Sequence, residues 1–294
     1  MPRARANGID IEYETFGDPT ATPLLLIMGL GAQMLSWDEA FCKLLAGRGF
    51  HVIRYDNRDC GLSTWMDAAG VPDIAAAVAG RPNPAYTLDD MAADSAGLLG
   101  ALGIGAAHIV GASMGGFIAQ LVALNHTSRT ISLTSIMSGP GGTDATPPKP
   151  EGAAVLLATP AGNREDRIEQ AMSFRRVLIG PADPFDEEFE RARATRAVDR
   201  AYYPPGTARQ LVAVLAAPSR VERLRSLQVP TLVVHGVDDV LIPVENGRTV
   251  AAAVPEARLL EFDGMGHDLP KRVWPPVIDA IADLAKHANP AQRT

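Results

Sequence analysis

The sequence predicts an α/β protein with a mostly parallel sheet, helices on both of its faces and a helical cap inserted late in the chain. Two observations carry this. Short apolar, β-branched runs alternate with helix-spaced segments over most of the 294 residues, the pattern of a parallel sheet built from strand–helix units. From residue 143 to 222 the alternation stops, and helix-like segments follow one another with no strand between them. The expected organisation is a core formed by residues 1–142 and 223–294, interrupted by a cap at 143–222.

Residues 9–16 alternate apolar and acidic side chains, as a half-exposed strand does, and Gly17-Asp18-Pro19 turns the chain. This predicts an early antiparallel strand. Residues 24–28 are continuously apolar, as expected of a strand covered on both faces, and end at Gly29-Leu30-Gly31, where glycines let the backbone approach a ligand. The spacing of Trp37, Phe41, Leu44 and Leu45 predicts a helix over 37–46, stopped by Gly47 and Gly49. The next strand is 51–55, and the polar loop 56–63 follows its carboxyl end, where open α/β sheets place ligands. Residues 71–85, rich in Pro, Gly and Ala, read as a surface loop. Thr87 is the expected N-cap of a helix ending near Gly103, with Asp89 and Asp90 in its first turn. A strand at 108–110, a helix running to Asn125 and a strand at 131–137 follow. Within the expected cap, 164–180, 186–198 and 207–217 have helical character. Strand 231–236, helix 244–254, strand 258–262 and helix 274–287 complete the core.

A formal net charge of −7 and a pI near 5.4 give no reason to expect nucleic acid or an anionic membrane as partner, because both reward a basic surface. A small neutral molecule suits the chain better. No apolar stretch follows Arg3 and Arg5, and 24–28 is too short to span a bilayer, so a cytoplasmic protein is expected. Cys42 and Cys60 are too few for a disulfide framework and have no histidine cluster beside them to make a metal site. Both read as reduced structural thiols, with a reactive role for Cys60 as the alternative. No metal or organic cofactor is expected.

Gly111-Ala112-Ser113-Met114-Gly115 lies between the strand 108–110 and the helix that follows. In the pattern G-x-S-x-G the glycines leave room for a sharp turn that exposes the serine hydroxyl where the helix N-terminus points its N–H groups. The plainer reading is a tight turn made by two glycines and a serine. A serine nucleophile needs a base, and the base needs a partner that fixes its tautomer and stabilises its positive charge. Of the six histidines, His267 lies in a glycine-rich loop, Gly264-Met265-Gly266-His267, after the last strand. His51 and His108 open strands, His126 follows a helix, His235 ends a strand and His287 lies in the last helix. The spacing Gly236-x-x-Asp239-x-x-x-Pro243 favours Asp239 as the acid. Asp238 is expected to face solvent or cap the turn, and Asp263 and Asp268 remain outside candidates.

The candidate catalytic set is therefore Ser113, Asp239 and His267, in the chain order that accompanies a serine at such a turn. Acyl transfer also needs donors aimed at the oxyanion. The N–H of Met114, directly after the serine, and that of Leu30, in the glycine loop, are the expected pair. Gly29, Gly31 and Trp37 are candidate substrate-contacting residues, although Trp37, Trp65, Tyr202 and Tyr203 read first as packing. Asp56, Arg58, Gly61 and Ser63 read as structural, holding the 56–63 loop by internal hydrogen bonds and a salt bridge.

On these segments the chain resembles the α/β-hydrolase fold family. The resemblance is carried by Met28-Gly29-Leu30-Gly31, by residues 54–63, by Gly111-Ala112-Ser113-Met114-Gly115-Gly116, by residues 236–243 and by Gly264-Met265-Gly266-His267, and it runs along nearly the whole length. It implies a Ser113, Asp239 and His267 triad with an oxyanion hole at Leu30 and Met114. Within the family the chain is similar to the aclacinomycin methylesterase type, which removes a methyl ester from a polyketide. One departure is Met28, where a histidine often precedes the glycine. The expected activity is a serine carboxylic-ester hydrolase acting on a small-molecule ester. Thioesterase, lactonase, carbon–carbon hydrolase and cofactor-free perhydrolase chemistry use the same triad, and a small-molecule receptor retaining the fold is the alternative of another class.

Overall fold

The computed structural model describes residues 2–288. Among them, eight strands form one sheet: β1 (Arg3–Ala6), β2 (Ile9–Phe16), β3 (Thr22–Ile27), β4 (Phe50–Tyr55), β5 (Ala107–Ala112), β6 (Thr130–Ile136), β7 (Thr231–Gly236) and β8 (Arg258–Phe262). Their spatial order is β1-β2-β4-β3-β5-β6-β7-β8. The β1–β2 and β2–β4 pairs are antiparallel, and every pair from β4 to β8 is parallel. The carboxyl ends of the six parallel strands therefore lie along one edge.

Period-two alternation sorts the strand side chains into two cores. Leu25 and Ile27 of β3, Ile109 of β5 and Val233 of β7 face the core completed by the helices Leu88–Ala101, Met114–Asn125 and Val244–Ala253. Leu24 and Leu26, Val110 and Ala112, and Leu232 and Val234 face the opposite core, closed by the helices Glu39–Ala46 and Trp274–Ala288. The central strands are buried on both faces, which is why they read as unbroken apolar runs rather than as alternating ones. Local signals fix the helix starts. Asp38 caps the Glu39–Ala46 helix, and Thr87 with Asp90 closes a capping box on Leu88–Ala101.

Between β6 and β7 come the helices Pro150–Leu156, Arg164–Leu178, Glu187–Arg200, Pro204–Ala216 and Val221–Leu224. The first four form an insertion that rests on the carboxyl-edge loops. Ala213 of the fourth helix already reaches the first core, and Leu224 and Leu227 join it, so the chain is back in the main body by then. The insertion's own apolar cluster is small, built from Ile168, Met172 and Ala194 with Phe185 and Val198 against them. It attaches to the core through Ala213 and Val214, which pack on the first core, and through polar contacts described below.

Among the strands and α-helices described, four lie outside the sequence expectation. β1 has the sequence Arg-Ala-Arg-Ala, with too little apolar content to read as a strand, and is held by its ladder to β2 and by the Arg3–Glu12 ion pair at 2.9 Å. The loop expected at 71–85 contains the helix Ile74–Val78, whose five residues give no periodicity and whose start is capped by Asp73. Pro150–Leu156 and Val221–Leu224 are likewise too short to show helical spacing.

His108 in β5 is buried, with its Nδ1 2.7 Å from the Ser132 hydroxyl, and burial pushes its pKa from 6.5 down to about 4. The folded protein thus holds it neutral, whereas the unfolded chain protonates it near 6.5. Its contribution is complete above that pH and is lost as pH falls toward 4, a change of about 3 kcal/mol. Denaturant melts across this window should show stability falling with acidification, and His108→Gln should remove that portion of the slope.

Candidate active site

Ser113 stands between β5 and the Met114–Asn125 helix with φ 57° and ψ −126°. A non-glycine residue there is strained by roughly 1–3 kcal/mol, so its surroundings must impose the turn. They do so through close backbone approach. A Cβ on Gly111 would lie 2.0 Å from the Gly115 carbonyl oxygen, and one on Gly115 would lie 2.1 Å from the Ile27 carbonyl oxygen. One on Gly116 would meet Ser138 at 2.4 Å. The Ser113 N–H donates to the Ile136 carbonyl at 2.9 Å, and the Ser138 hydroxyl donates to the Ser113 carbonyl at 2.9 Å. Both glycines of the G-x-S-x-G pattern, and the glycine after it, are thus steric requirements of the turn.

The loop after β3 closes over this turn. Gly29 approaches so closely that a Cβ there would come within 2.9 Å of the Ser113 Cβ and 3.3 Å of its hydroxyl oxygen. Asn57, buried in the loop after β4, donates from Nδ2 to the Met28 carbonyl at 2.8 Å and so fixes the peptide before Gly29. Among the described residues, the N–H groups of Leu30 and Met114 are not taken up by the backbone hydrogen bonds of the fold.

Asp239 and His267 come from the loops after β7 and β8. Their side chains are 1% and 8% exposed as residues, and His267 Nδ1 donates to Asp239 Oδ2 at 2.7 Å. A carboxylate can only accept, so the proton sits on Nδ1 and Nε2 keeps the basic lone pair. The other oxygen of Asp239 accepts from the N–H groups of Leu241 and Ile242, both at 2.8 Å. Burial alone would raise the Asp239 pKa, but the facing imidazoles of His267 and His235 outweigh it and hold the carboxyl well below the ordinary carboxylate range.

His235 ends β7 fully buried, and its Nε2–H donates to the Ile242 carbonyl at 2.8 Å while lying 3.6 Å from Asp239 Oδ2. Its Nδ1 has no partner and is pressed against Gly247, where a Cβ would come within 2.3 Å. This imidazole braces the turn whose peptides hold the acid. Asp238 does not face solvent only: its Oδ2 accepts the Gly264 N–H at 2.8 Å and ties the acid loop to the histidine loop.

The insertion supports the histidine loop from the other side. A Cβ on Gly180 would lie 2.0 Å from the Gly264 carbonyl oxygen, and Ala182 N–H donates to that same carbonyl at 3.1 Å. Arg175 pairs with Glu190 and with Asp268, each at 3.0 Å, so the acid beside His267 serves as an anchor for the insertion.

Other candidates fall elsewhere. Trp37 is 2% exposed and stacks on Phe41 in the second core. Trp65 stacks on Tyr203 with ring centroids 4.0 Å apart. Arg58 pairs with Asp94 at 2.6 Å, and Asp56 pairs with Arg200 of the insertion at 2.7 Å, so the 56–63 loop is held by partners outside it as well as by the Ser63 hydroxyl, which donates to the Asp56 carbonyl. Cys60 is buried, and burial pushes its thiol well above the ordinary range, which disfavours the thiolate that nucleophilic work requires. Among the described residues no group of three or more His, Cys, Asp or Glu side chains is placed to hold a metal, and no helix is long and apolar enough to cross a membrane. Asn57, His235, Gln210 and Arg175 support the site without having stood out in the sequence.

A family model described as the alpha/beta hydrolase fold matches residues 22–270. Rhodomycin D methylesterase DauP of Streptomyces sp. (strain C5) is 33% identical over 299 aligned positions, which cover 94% of this chain and 95% of that protein. Rhodomycin D methylesterase DnrP of Streptomyces peucetius is 32% identical with the same coverage of both chains. A solved structure of the meta-cleavage product hydrolase of Pseudomonas fluorescens IP01 superposes with a TM-score of 0.78 over 98% of both chains, at 21% identity, a likeness of fold. The chain belongs to the α/β-hydrolase fold family.

Proposed function

We propose that the protein is a serine carboxylic-ester hydrolase that works through an acyl-enzyme. The observation that carries this reading is the 2.7 Å hydrogen bond from His267 to a buried, ionised Asp239, on the same sheet edge as a serine held in a strained turn. Ser113 Oγ attacks the ester carbonyl while His267 Nε2 takes its proton. The tetrahedral oxyanion is received by the N–H groups of Leu30 and Met114. His267 then protonates the leaving alcohol, and in the second half it activates water to release the acid and free Ser113. Asp239 stays ionised throughout and stabilises the imidazolium. No step calls for a metal or an organic cofactor.

The substrate we assign is a small to medium, largely apolar ester, and specifically a methyl ester on a polyketide-like compound. Its support is the pair of rhodomycin D methylesterases, which align with this chain over nearly all of both lengths. The insertion between β6 and β7, within the expected bounds 143–222, acts as the cap over the acyl and alcohol sites. We place the protein in the cytoplasm, where its two buried cysteines stay reduced.

Two outcomes test the reading. Purified protein should hydrolyse p-nitrophenyl esters and aromatic polyketide methyl esters, and Ser113→Ala should lower kcat/KM by on the order of 10⁴-fold. Full activity in that variant removes Ser113 from the mechanism, and no turnover of any ester, thioester or lactone favours a receptor role. Asp239→Asn should lower kcat by about 10⁴-fold by releasing the His267 tautomer, with the melting temperature as the control for folding.

A further inference from the structure

The loop Gly29-Leu30-Gly31 supplies one of the two oxyanion donors in the proposed mechanism, yet the N–H of Leu30 is not fixed by a bond of its own. What fixes its neighbour comes from the insertion. Gln210, in the helix Pro204–Ala216, has no exposed surface and spans two loops of the core. Its Oε1 accepts the Gly31 N–H at 2.8 Å, and its Nε2 donates to the Arg58 carbonyl at 2.7 Å. One acceptor and one donor are required at once, so only one orientation of the amide satisfies both.

The same loop is tied to the insertion at two further points. Gly31, at φ 63°, packs so tightly on Thr207 that a Cβ would come within 2.8 Å of its hydroxyl oxygen. Gln33 donates from Nε2 to the Ala197 and Ala201 carbonyls at 2.7 and 2.8 Å, and accepts from Arg200 at 2.7 Å. On the core side, the Asn57 bond to the Met28 carbonyl at 2.8 Å holds the peptide that precedes Gly29. The Gly29–Leu30 peptide, whose carbonyl accepts the Ala32 N–H at 3.3 Å in a turn, is thus held with that turn between a core anchor and an insertion anchor.

We infer that Gln210 is a positioning residue for the oxyanion hole: the insertion, besides covering the site, sets the direction of the Leu30 N–H through the Gly31 peptide. The inference rests on the serine-hydrolase reading above. It also implies that the helix Pro204–Ala216 stays docked during turnover, because undocking it releases one of the two donors.

Gln210→Met keeps the side-chain volume and removes both hydrogen bonds. Each preparation is first titrated with a fluorophosphonate, so that rates are expressed per reactive Ser113. The variant is expected to lose on the order of 10- to 100-fold in kcat per titrated site with KM changed less than about twofold, since oxyanion donors act in the transition state. Its affinity for a trifluoromethyl ketone, which forms a tetrahedral oxyanion on the serine, should fall by a comparable factor. A residue with a merely structural role would lower the titrated fraction and leave the rate per site unchanged, and that result overturns the inference. Should Gln210→Met fail to fold, Gln210→Glu, which keeps an acceptor for the Gly31 N–H and loses the donor to the Arg58 carbonyl, is expected to retain most of the rate per titrated site, and a loss there as large as that of a missing oxyanion donor overturns the inference. A wild-type protein that does not titrate contradicts the serine-hydrolase reading itself, which separates the two failures.

Discussion

The carboxyl edge depends on how closely the helix Met114–Asn125 approaches β3. The Ile27 carbonyl occupies the space a side chain at position 115 would need, 2.1 Å from where its Cβ would be. Only glycine permits that contact. With it, the N-terminus of the helix reaches the β3 loop, Gly29 lies against Ser113, and the chain is forced through positive φ at the serine. That strained backbone is held by the Ser113 N–H bond to the Ile136 carbonyl and by the Ser138 hydroxyl on the Ser113 carbonyl.

Charge is handled with equal economy. Asp239 is buried, a position that ordinarily favours the neutral acid, yet it receives two backbone N–H groups on one oxygen and a histidine N–H on the other. The two backbone donors are placed by the turn 239–242, which His235 braces through the Ile242 carbonyl. Asp238 extends the arrangement to Gly264 in the next loop. The acid, its turn and the histidine loop therefore form one hydrogen-bonded unit, in which the imidazole has a defined tautomer before any ligand binds.

Much of this was legible in the sequence because the relevant signals are local. Apolar runs gave the central strands, Thr87 read as the N-cap of its helix, and the spacing from Gly236 to Pro243 favoured Asp239, whose Oδ2 accepts the His267 Nδ1–H. Trp37 read as either packing or ligand-contacting, and its burial against Phe41 places it in the core. Other features had no local signal. β1 is visible only through its partner strand, and Ile74–Val78 is shorter than the period that would reveal it. Gln210 is 179 residues from the Gly31 N–H it receives, in a helix whose sequence gives no hint of that contact. His235 offered one cue, a second histidine four positions before the acid, which means nothing until β7 buries it.

The insertion is tied to the core by a set of polar contacts besides the packing of Ala213 and Val214. Arg175 to Asp268, Arg200 to Asp56, Arg209 to Asp59 and Gln210 to Gly31 all cross the boundary, and each ends within a loop that borders the site. Removing either member of the buried pairs would leave an uncompensated charge, so substrate preference can vary in the insertion only where these anchors are kept. Ester cleavage by the proposed route requires a covalent bond at one atom, Ser113 Oγ. Rapid acid quench of the protein with p-nitrophenyl acetate, followed by peptide mass spectrometry, tests it most directly. One acetyl group per chain is expected, on the peptide that contains Ser113. An adduct on another residue such as Cys60, or none while product accumulates, would contradict it.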